Sequence, residues 1–364
     1  MHMWIWPWNP FATPRSSRWC RDPAPDRRFV TDAFRAAQPG RYRHARKLPA
    51  ILAASALGLA APVGLSQTYP GKPVRLVVPF AAGGTTDVVA RLLSQKFAER
   101  LEQPVIVENR PGGDTIIGAE AVAKAAPDGH TILLTTSSTI AILPHTRKQL
   151  PYDPFKSFVH VAQIAYIQFV LAVNPSVPAA SVAELIALAR SQPGRLTYAR
   201  GSESGHITAE MFKAATGTDI VHVQYKGSAL ATTDLLSGHV DMMFTAIAGV
   251  VPYFTAKRLK PLAVSGERRS PALPDVPTLS EAGVKDFEAS SLWGISAPAA
   301  TPVFAVKKLN EEIGAVLQMP DIVEKMLAQG AEPRHGTPEQ FTALLRADWE
   351  KQRGVLQRIG FKAE

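Results

Sequence analysis

Short, mostly apolar runs alternate with longer amphipathic segments from Val74 to Val264, and this alternation constrains the fold more than any other feature. The run Val74–Pro79 is typical of a buried strand, and Thr86–Leu101 repeats apolar residues at helical spacing. The same succession of strand and helix continues through 131–134 and resumes at Phe169. Strands that alternate with helices predict parallel sheets with helices on both faces. The expected fold class is therefore α/β, with two lobes in tandem.

The chain from Pro302 onward contains two amphipathic stretches, separated by Gly330–Pro333, and no sheet of its own is predicted for it. We expect this tail to pack on the first lobe, so that the chain crosses between the lobes near Val170 and near Trp293. Ligands of such folds favour the cleft at the carboxyl ends of the strands. The predicted organisation is an N-terminal extension plus signal peptide over 1–66, the first part of lobe 1 over 67–170, lobe 2 over 171–291, and a return to lobe 1 with C-terminal helices over 292–364.

The positive charge of the chain is concentrated at its beginning. Residues 1–66 carry a net charge of +7, whereas 67–364 carry only +2 of the total of +9. A nucleic-acid-binding domain would concentrate basic residues on its folded part, which argues against that class of partner. Basic residues up to Lys47 precede the apolar stretch Ala50–Leu65, which is the pattern of a signal peptide. We expect cleavage near Ser66 and export to the periplasm.

The sequence offers little support for catalysis. Cys20 is the only cysteine, so an internal disulfide and a cysteine-based metal site are excluded. The chain has no nucleophile elbow and no H-E-x-x-H pair, and its histidines lack ligand-like spacing. These observations favour binding over an enzymatic function, with no cofactor and no metal, although an active site assembled from distant residues stays open.

Four loops at predicted strand ends could bind a ligand. The loop Pro79–Asp87 brings backbone N–H groups to a helix start, a geometry that suits a carboxylate but also occurs in simple tight turns. The hydroxyl residues of Thr135–Thr139 could contact a ligand or cap the next helix. In the loop 200–206, Arg200 could pair with a second carboxylate of the ligand or with Glu203. The fourth loop, Tyr225–Ser228, is another turn that enters a helix.

Several motifs resemble the Bug (TctC-type) family, the extracytoplasmic receptors of tripartite tricarboxylate transporters. They include Tyr69–Phe80, the turn Gly83-Gly84-x-x-Asp87, Val107–Gly112 and Val223–Gly227. The resemblance covers essentially all of 69–364 in order and spacing. It implies a type 2 periplasmic-binding fold that closes on a carboxylate-bearing solute and delivers its ligand to membrane permease subunits. We expect the protein to be a monomer.

The resemblance also implies the positions that bind the ligand. One carboxylate is expected at the loop that begins at Phe80, and the remaining strand-end loops complete the cleft. The predicted ligand-binding residues are Phe80, Ala81, Ala82, Gly83, Gly84, Thr85, Thr86, Asp87, Thr136, Ser137, Ser138, Arg200, Ser202, Ser204, His206, Tyr225, Lys226, Thr245 and Ala246.

Three departures from the family pattern bear on the ligand. The loop 199–206 is about two residues short, Asp114-Thr115 replace small glycine-like residues, and Thr245 lies where many members have an acidic residue. Arg200 favours a second anionic group. With the ligands that the family resemblance implies, the expected ligand is a di- or tricarboxylate or an aromatic acid. The alternative to transport is a receptor that signals through a sensor kinase.

Overall fold

The computed structural model describes residues 69–363, so the predicted signal peptide and the cleavage near Ser66 lie outside the described residues. The strands are β1 (Val74–Val78), β2 (Val105–Asn109), β3 (Thr131–Thr136), β4 (Phe158–Val173), β5 (Thr197–Arg200), β6 (Val221–Gln224), β7 (Met242–Ala246), β8 (Lys260–Val264), β9 (Ser290–Pro298) and β10 (Ala331–Pro333). The helices are α1 (Thr85–Leu101), α2 (Ile116–Ala123), α3 (Leu143–Thr146), α4 (Val182–Ser191), α5 (Glu203–Thr216), α6 (Ser228–Ser237), α7 (Val251–Thr255), α8 (Val303–Leu317), α9 (Pro320–Ala328) and α10 (Pro338–Arg358).

The strands form two groups, and each group is the centre of one lobe. In lobe 1, β1 pairs in parallel with β2 and β3, and the antiparallel strands β9, β4 and β10 extend this sheet. In lobe 2, β5 pairs in parallel with β6 and β7, and β4 and β8 add antiparallel pairs. The α/β prediction is confirmed, and the parallel part of each sheet is the part that the strand–helix alternation indicates.

Strand β4 belongs to both sheets. Residues up to Gln168 pair with β9 in lobe 1, whereas Phe169 to Val173 pair with β7 in lobe 2. Nearly all of its residues are buried. The sequence predicted this strand only from Phe169 onward, because polar His160, Gln163 and Gln168 interrupt the apolar run before it. Each of these buried polar side chains forms a hydrogen bond, which is how the strand accommodates them.

Two strands were missed in the sequence. Strand β9 contains serines, Gly294 and Pro298, and β10 coincides with the segment that was interpreted as a linker between tail helices. Gly294 permits the ring of Phe341 to lie directly on the sheet, since a Cβ atom at this position would overlap the ring. Both strands depend on pairing with β4, which is a tertiary contact that local residue preferences do not encode.

The tail contains three helices instead of the two predicted. Helix α8 is followed almost at once by α9, because Pro320 begins a new helix at its first position. Helix α10 begins with a capping box between Thr337 and Gln340. Phe341 and Leu345 of α10 are fully buried against the core of lobe 1. The residue boundaries of the lobes stay a prediction. Among residues 69–363, no helix is both long and apolar enough to span a membrane.

Candidate functional site

The loops that follow β1, β2, β3, β5 and β6 line two adjoining pockets in the cleft between the two sheets. The inner pocket has a volume of about 30 Å³ and the outer pocket about 430 Å³, and both are lined by Phe80 and Ser202. The inner lining is Phe80, Thr85, Thr86, Thr136, Ser138, Phe169, Ser202, Ser204, Ser228, Ala246, Ser291 and Trp293. The outer lining is Pro79, Phe80, Gly112, Gly113, Asp114, Thr115, Arg147, Arg200, Gly201, Ser202, Glu203, Gln224, Tyr225, Lys226 and Gly227.

The inner pocket lies at the start of α1. Gly84 is the N-cap of this helix, and no side chain caps its first turn. The N–H groups of a first helical turn lack partners within the helix and lie at its positive end. Thr85 and Thr86 contribute to the wall at this point, and both are buried. Hydroxyl groups beside uncapped helical N–H groups form a surface that can donate several hydrogen bonds to an anion.

Asp87 stabilises this turn through hydrogen bonds, although it does not line either pocket. Its carboxylate accepts hydrogen bonds from the Gly83 N–H at 2.9 Å, from Arg91 Nε at 2.9 Å and from Asn109 Nδ2 at 3.0 Å. Burial alone would raise the pKa of Asp87, but these hydrogen bonds outweigh it and hold the pKa below its usual value. Gly83 has φ +76°, a conformation that favours glycine, and its N–H is already bonded to Asp87. Asp87 therefore shapes the loop from outside the pocket.

Two serines join the lobes at the inner pocket. Ser138 lies in the π-helical turn Ser138–Ile142 that follows β3, and Ser204 lies in the first turn of α5. Their hydroxyl oxygens are 2.8 Å apart, and the Ser204 N–H donates to Ser138 Oγ at 3.1 Å. Ser202 caps α5 by accepting a hydrogen bond from the Gly205 N–H. The first turns of α1 and α5 therefore both contribute to the wall of this pocket.

Four of the charged side chains that line the outer pocket form a network of ion pairs. We call Asp114, Arg147, Arg200 and Glu203 the ion-pair tetrad. Within lobe 1, Arg147 Nη2 lies 2.6 Å from Asp114 Oδ2, and within lobe 2, Arg200 Nη2 lies 2.7 Å from Glu203 Oε2. Between the lobes, Arg200 lies 3.6 Å from Asp114 and Arg147 lies 3.9 Å from Glu203. Burial raises the pKa of Glu203 above its usual value, because it outweighs the opposite effect of the Arg200 cation beside it. The tetrad has equal numbers of positive and negative groups.

Two residues of this region have an unusual backbone conformation. Asp114 has φ 52° and Thr115 has φ 94°, in the left-handed region where residues other than glycine are uncommon. For a β-branched residue such as Thr115 this conformation costs on the order of 1–3 kcal/mol. Their side chains explain why it is retained, because Asp114 reaches Arg147 and Thr115 Oγ1 accepts a hydrogen bond from Thr139 at 3.0 Å.

The structure places most of the predicted site residues in the cleft. The predicted residues that line one or both pockets are Phe80, Thr85, Thr86, Thr136, Ser138, Arg200, Ser202, Ser204, Tyr225, Lys226 and Ala246. The predicted residues outside both linings are Ala81, Ala82, Gly83, Gly84, Asp87, Ser137, His206 and Thr245. The assignment of ligand contacts stays a prediction.

His206 and Ser137 take part in internal contacts. His206 Nδ1 lies 2.6 Å from the Tyr198 hydroxyl, and burial, with the nearby Arg200 cation, lowers the pKa of His206 to about 2. Ser137 Oγ donates to Asp348 Oδ2 at 2.5 Å and accepts from the Leu292 N–H at 2.9 Å. Ser137 therefore connects α10 to the loop that carries Ser138.

Several lining residues were missed in the sequence. Asp114 and Thr115 stood out only as departures from the family pattern, and Arg147 had no signal because it lies in an irregular segment. Trp293 and Ser291 lie on the unpredicted strand β9. Within residues 69–363, no cluster of three or more histidine, cysteine or acidic side chains could hold a metal ion.

Comparison with known proteins identifies the family. The sequence profile described as "Tripartite tricarboxylate transporter family receptor" matches residues 89–361. The chain belongs to this family. Protein BugT of Bordetella pertussis (strain Tohama I) is 36% identical over 308 residues, which are 84% of this chain and 94% of that protein. The expected resemblance to the Bug (TctC-type) family is thus confirmed.

Solved structures of the same family agree. Rpa4515 of R. palustris with adipate is 35% identical, with a TM-score of 0.80 over 81% of this chain and 100% of that chain. The periplasmic binding protein BugD is 32% identical, with a TM-score of 0.78 over 81% and 100% of the two chains. MatC of Rhodopseudomonas palustris with bound malate is 30% identical, with a TM-score of 0.75 over 79% and 100%. The two-lobed binding-protein fold is thereby confirmed.

Proposed function

We propose that this protein is a periplasmic receptor that captures a small carboxylate for a tripartite tricarboxylate-type transporter. The observation that carries the proposal is the inner pocket, where the uncapped first turn of α1 lies beside hydroxyl groups from both lobes. Hydrogen-bond donors at the positive end of a helix, together with hydroxyl groups, suit a carboxylate and require no cationic side chain.

The related structures support the same ligand class. Rpa4515 holds adipate and MatC holds malate, and both are small acids. The family description supports delivery to a transporter, and the signal-peptide pattern of the sequence supports export to the periplasm. The proposed binding cycle consists of capture of the acid in the cleft, closure of the lobes over it, and presentation of the closed receptor to permease subunits.

The proposed function is tested by thermal unfolding of the purified protein with mono-, di- and tricarboxylates, aromatic acids and amino acids. A ligand at one hundred times its dissociation constant stabilises the folded state by about 2.7 kcal/mol, which gives a clear shift in Tm. We expect at least one class of acid to raise the Tm. No shift with any acid, from protein freed of bound ligand by partial unfolding and refolding, would disprove the proposal.

A matched pair of variants locates the binding site. Thr86→Val removes a hydroxyl from the inner pocket at nearly constant volume and should weaken binding about two- to tenfold. Thr255→Val removes an exposed hydroxyl of α7, outside both pocket linings, and should leave binding unchanged. Equal effects of the two substitutions would place the ligand elsewhere.

A further inference from the structure

In the outer pocket, the two arginines of the ion-pair tetrad are already paired with carboxylates of the protein. Arg147 and Arg200 are the cations that a second ligand carboxylate would approach, and each lies within 2.7 Å of a protein carboxylate. Asp114 lies near both of them, at 2.6 Å from Arg147 and 3.6 Å from Arg200. The position between the two guanidinium groups is therefore occupied by a carboxylate of the protein itself.

We infer that Asp114 occupies the place of a second ligand carboxylate, and that the receptor selects monocarboxylates over dicarboxylates of the same length. This inference rests on the proposed function, since it assumes that one carboxylate binds in the inner pocket. It reverses the expectation from the sequence that Arg200 favours a second anionic group.

Charge and exposure both argue for this selection. Asp114 and Arg147 keep 17% and 15% of their side chains exposed, so they form the accessible surface of the tetrad, whereas Arg200 and Glu203 are buried. A second carboxylate would have to displace Asp114 from Arg147 or lie beside its negative charge. Like charges placed together in a partly desolvated site strongly disfavour binding.

The remaining cation of the outer pocket does not compensate for Asp114. Lys226 lines the pocket, but its side chain is exposed to solvent. Water and salt screen such a charge, so its attraction for a carboxylate is small. The pocket has room for an uncharged ligand body, because its volume is about 430 Å³ and Pro79, Phe80 and Tyr225 supply apolar surface.

The backbone at Asp114 supports a functional role for its carboxylate. The residue has φ 52°, and a glycine would adopt this conformation without strain. The side chain is fixed there by Arg147 Nη2, which donates a hydrogen bond to Asp114 Oδ2 at 2.6 Å. A residue that only had to complete the turn would not need this carboxylate.

The test is isothermal titration calorimetry of the full chain at pH 7.5 with acids matched in length: hexanoate against adipate, and benzoate against terephthalate. We expect each monocarboxylate to bind at least about tenfold more tightly than its dicarboxylate. Asp114→Asn keeps the shape of the side chain and removes its charge, so the preference should fall by about tenfold or reverse. Asp321→Asn removes an equally charged group from α9, outside the outer lining, and should leave the preference unchanged.

Tighter or equal binding of the dicarboxylates by the unsubstituted protein would overturn the inference and leave the proposed function intact. An unchanged preference in Asp114→Asn would also overturn it. Absence of binding by all four acids and by the wider panel would instead contradict the proposed function, and the inference with it. Circular dichroism checks folding; if Asp114→Asn does not fold, Asp114→Gly, which suits the positive φ, replaces it with the same expected change.

Discussion

The two ends of the cleft differ in the groups that they offer to a charged ligand. The lining of the inner pocket, as far as residues 69–363 supply it, consists of hydroxyl, apolar and backbone groups, whereas the outer pocket is crossed by the ion-pair tetrad. Neutral donors at helix starts can bind a carboxylate without first giving up an ion pair. A tetrad that is already balanced offers a second anion no such advantage.

The difference suggests a division of roles between the two ends. We propose that the inner end recognises the carboxylate that small acids have in common, because its donors would contact only that group. The outer end would then distinguish among acids by the rest of the ligand, since its charged groups come from both lobes and lie in fixed positions. Substitutions at the inner end should therefore change all affinities together, and those at the outer end should change the order of preference.

The largest effect is expected from Gly249→Val at the inner end. Gly249 follows β7, and a Cβ atom there would lie 2.5 Å from Thr85 Oγ1 of α1. Overpacking of this kind costs about 1–3 kcal/mol of folding free energy. Because Thr85 lines the inner pocket and would have to move, we also expect affinity to fall for every acid together, by about fivefold or more, measured by calorimetry. Gly354→Val is the matched control, because nothing lies within 4 Å of a Cβ atom at that position. A change in the order of preference among acids would contradict the division of roles.

An intermediate effect, on stability instead of ligand preference, is expected from Asp87→Asn. The amide nitrogen would replace an oxygen that accepts hydrogen bonds from Gly83 and Arg91. We expect the free energy of unfolding at pH 7 to fall by about 1–2 kcal/mol. Loss of the ion pair with Arg91 contributes little to this change, because the Arg91 side chain is half-exposed. Urea unfolding measures this change, and Asp321→Asn should stay within about 0.5 kcal/mol of the parent.

The pH dependence of the Asp87→Asn effect follows from the direction of the pKa shift. The pKa of Asp87 lies below its unfolded value of about 3.9, so its stabilisation is fully present above that pH. It is lost as the pH falls through the lower pKa of the folded state. The two proteins should therefore converge in stability in acid. A constant difference down to pH 2 would show that Asp87 acts through its shape and not its charge.

The smallest effect is expected from Lys226→Ala at the rim of the outer pocket. The side chain is exposed, and at physiological salt the screening length is about 8 Å. Equilibrium affinity at 150 mM salt should change by less than about twofold, whereas the association rate at low salt should decrease. Stopped-flow measurements at 10 and 150 mM salt check this. A large loss of affinity at 150 mM salt would mean that Lys226 contacts the ligand directly.

The parallel strands and their helices could be predicted because each one has a periodic pattern in its own residues. Helix α1 was predicted as Thr86–Leu101, within one residue of its bounds in the structure. Strands β9 and β10 could not be predicted, because their residues become strands only by pairing with β4. The length of β4 was underestimated because polar residues, buried in the structure, interrupt its apolar run.

The candidate site divides in the same way. Phe80, Thr85, Thr86, Ser138 and Ser204 could be predicted, since small and hydroxyl residues between a strand and a helix already indicate a strand-end loop. The inward or outward direction of a side chain could not be predicted. His206 and Ser137 share these loops, yet their side chains contact Tyr198 and Asp348 instead of lining the cleft.

The sequence by itself determined the α/β class, the family and the strand-end loops that line the cleft, because each depends on residues that are adjacent along the chain. The pair Arg200–Glu203 was one of the two alternatives that the sequence left open, whereas only the tertiary structure decided which distant charges meet. Asp114 and Arg147 meet within lobe 1, and they come within 4 Å of Arg200 and Glu203 only where the two lobes lie together. Coulomb interactions depend on distance in space and not on separation in sequence, so this network could not be inferred from the residues alone.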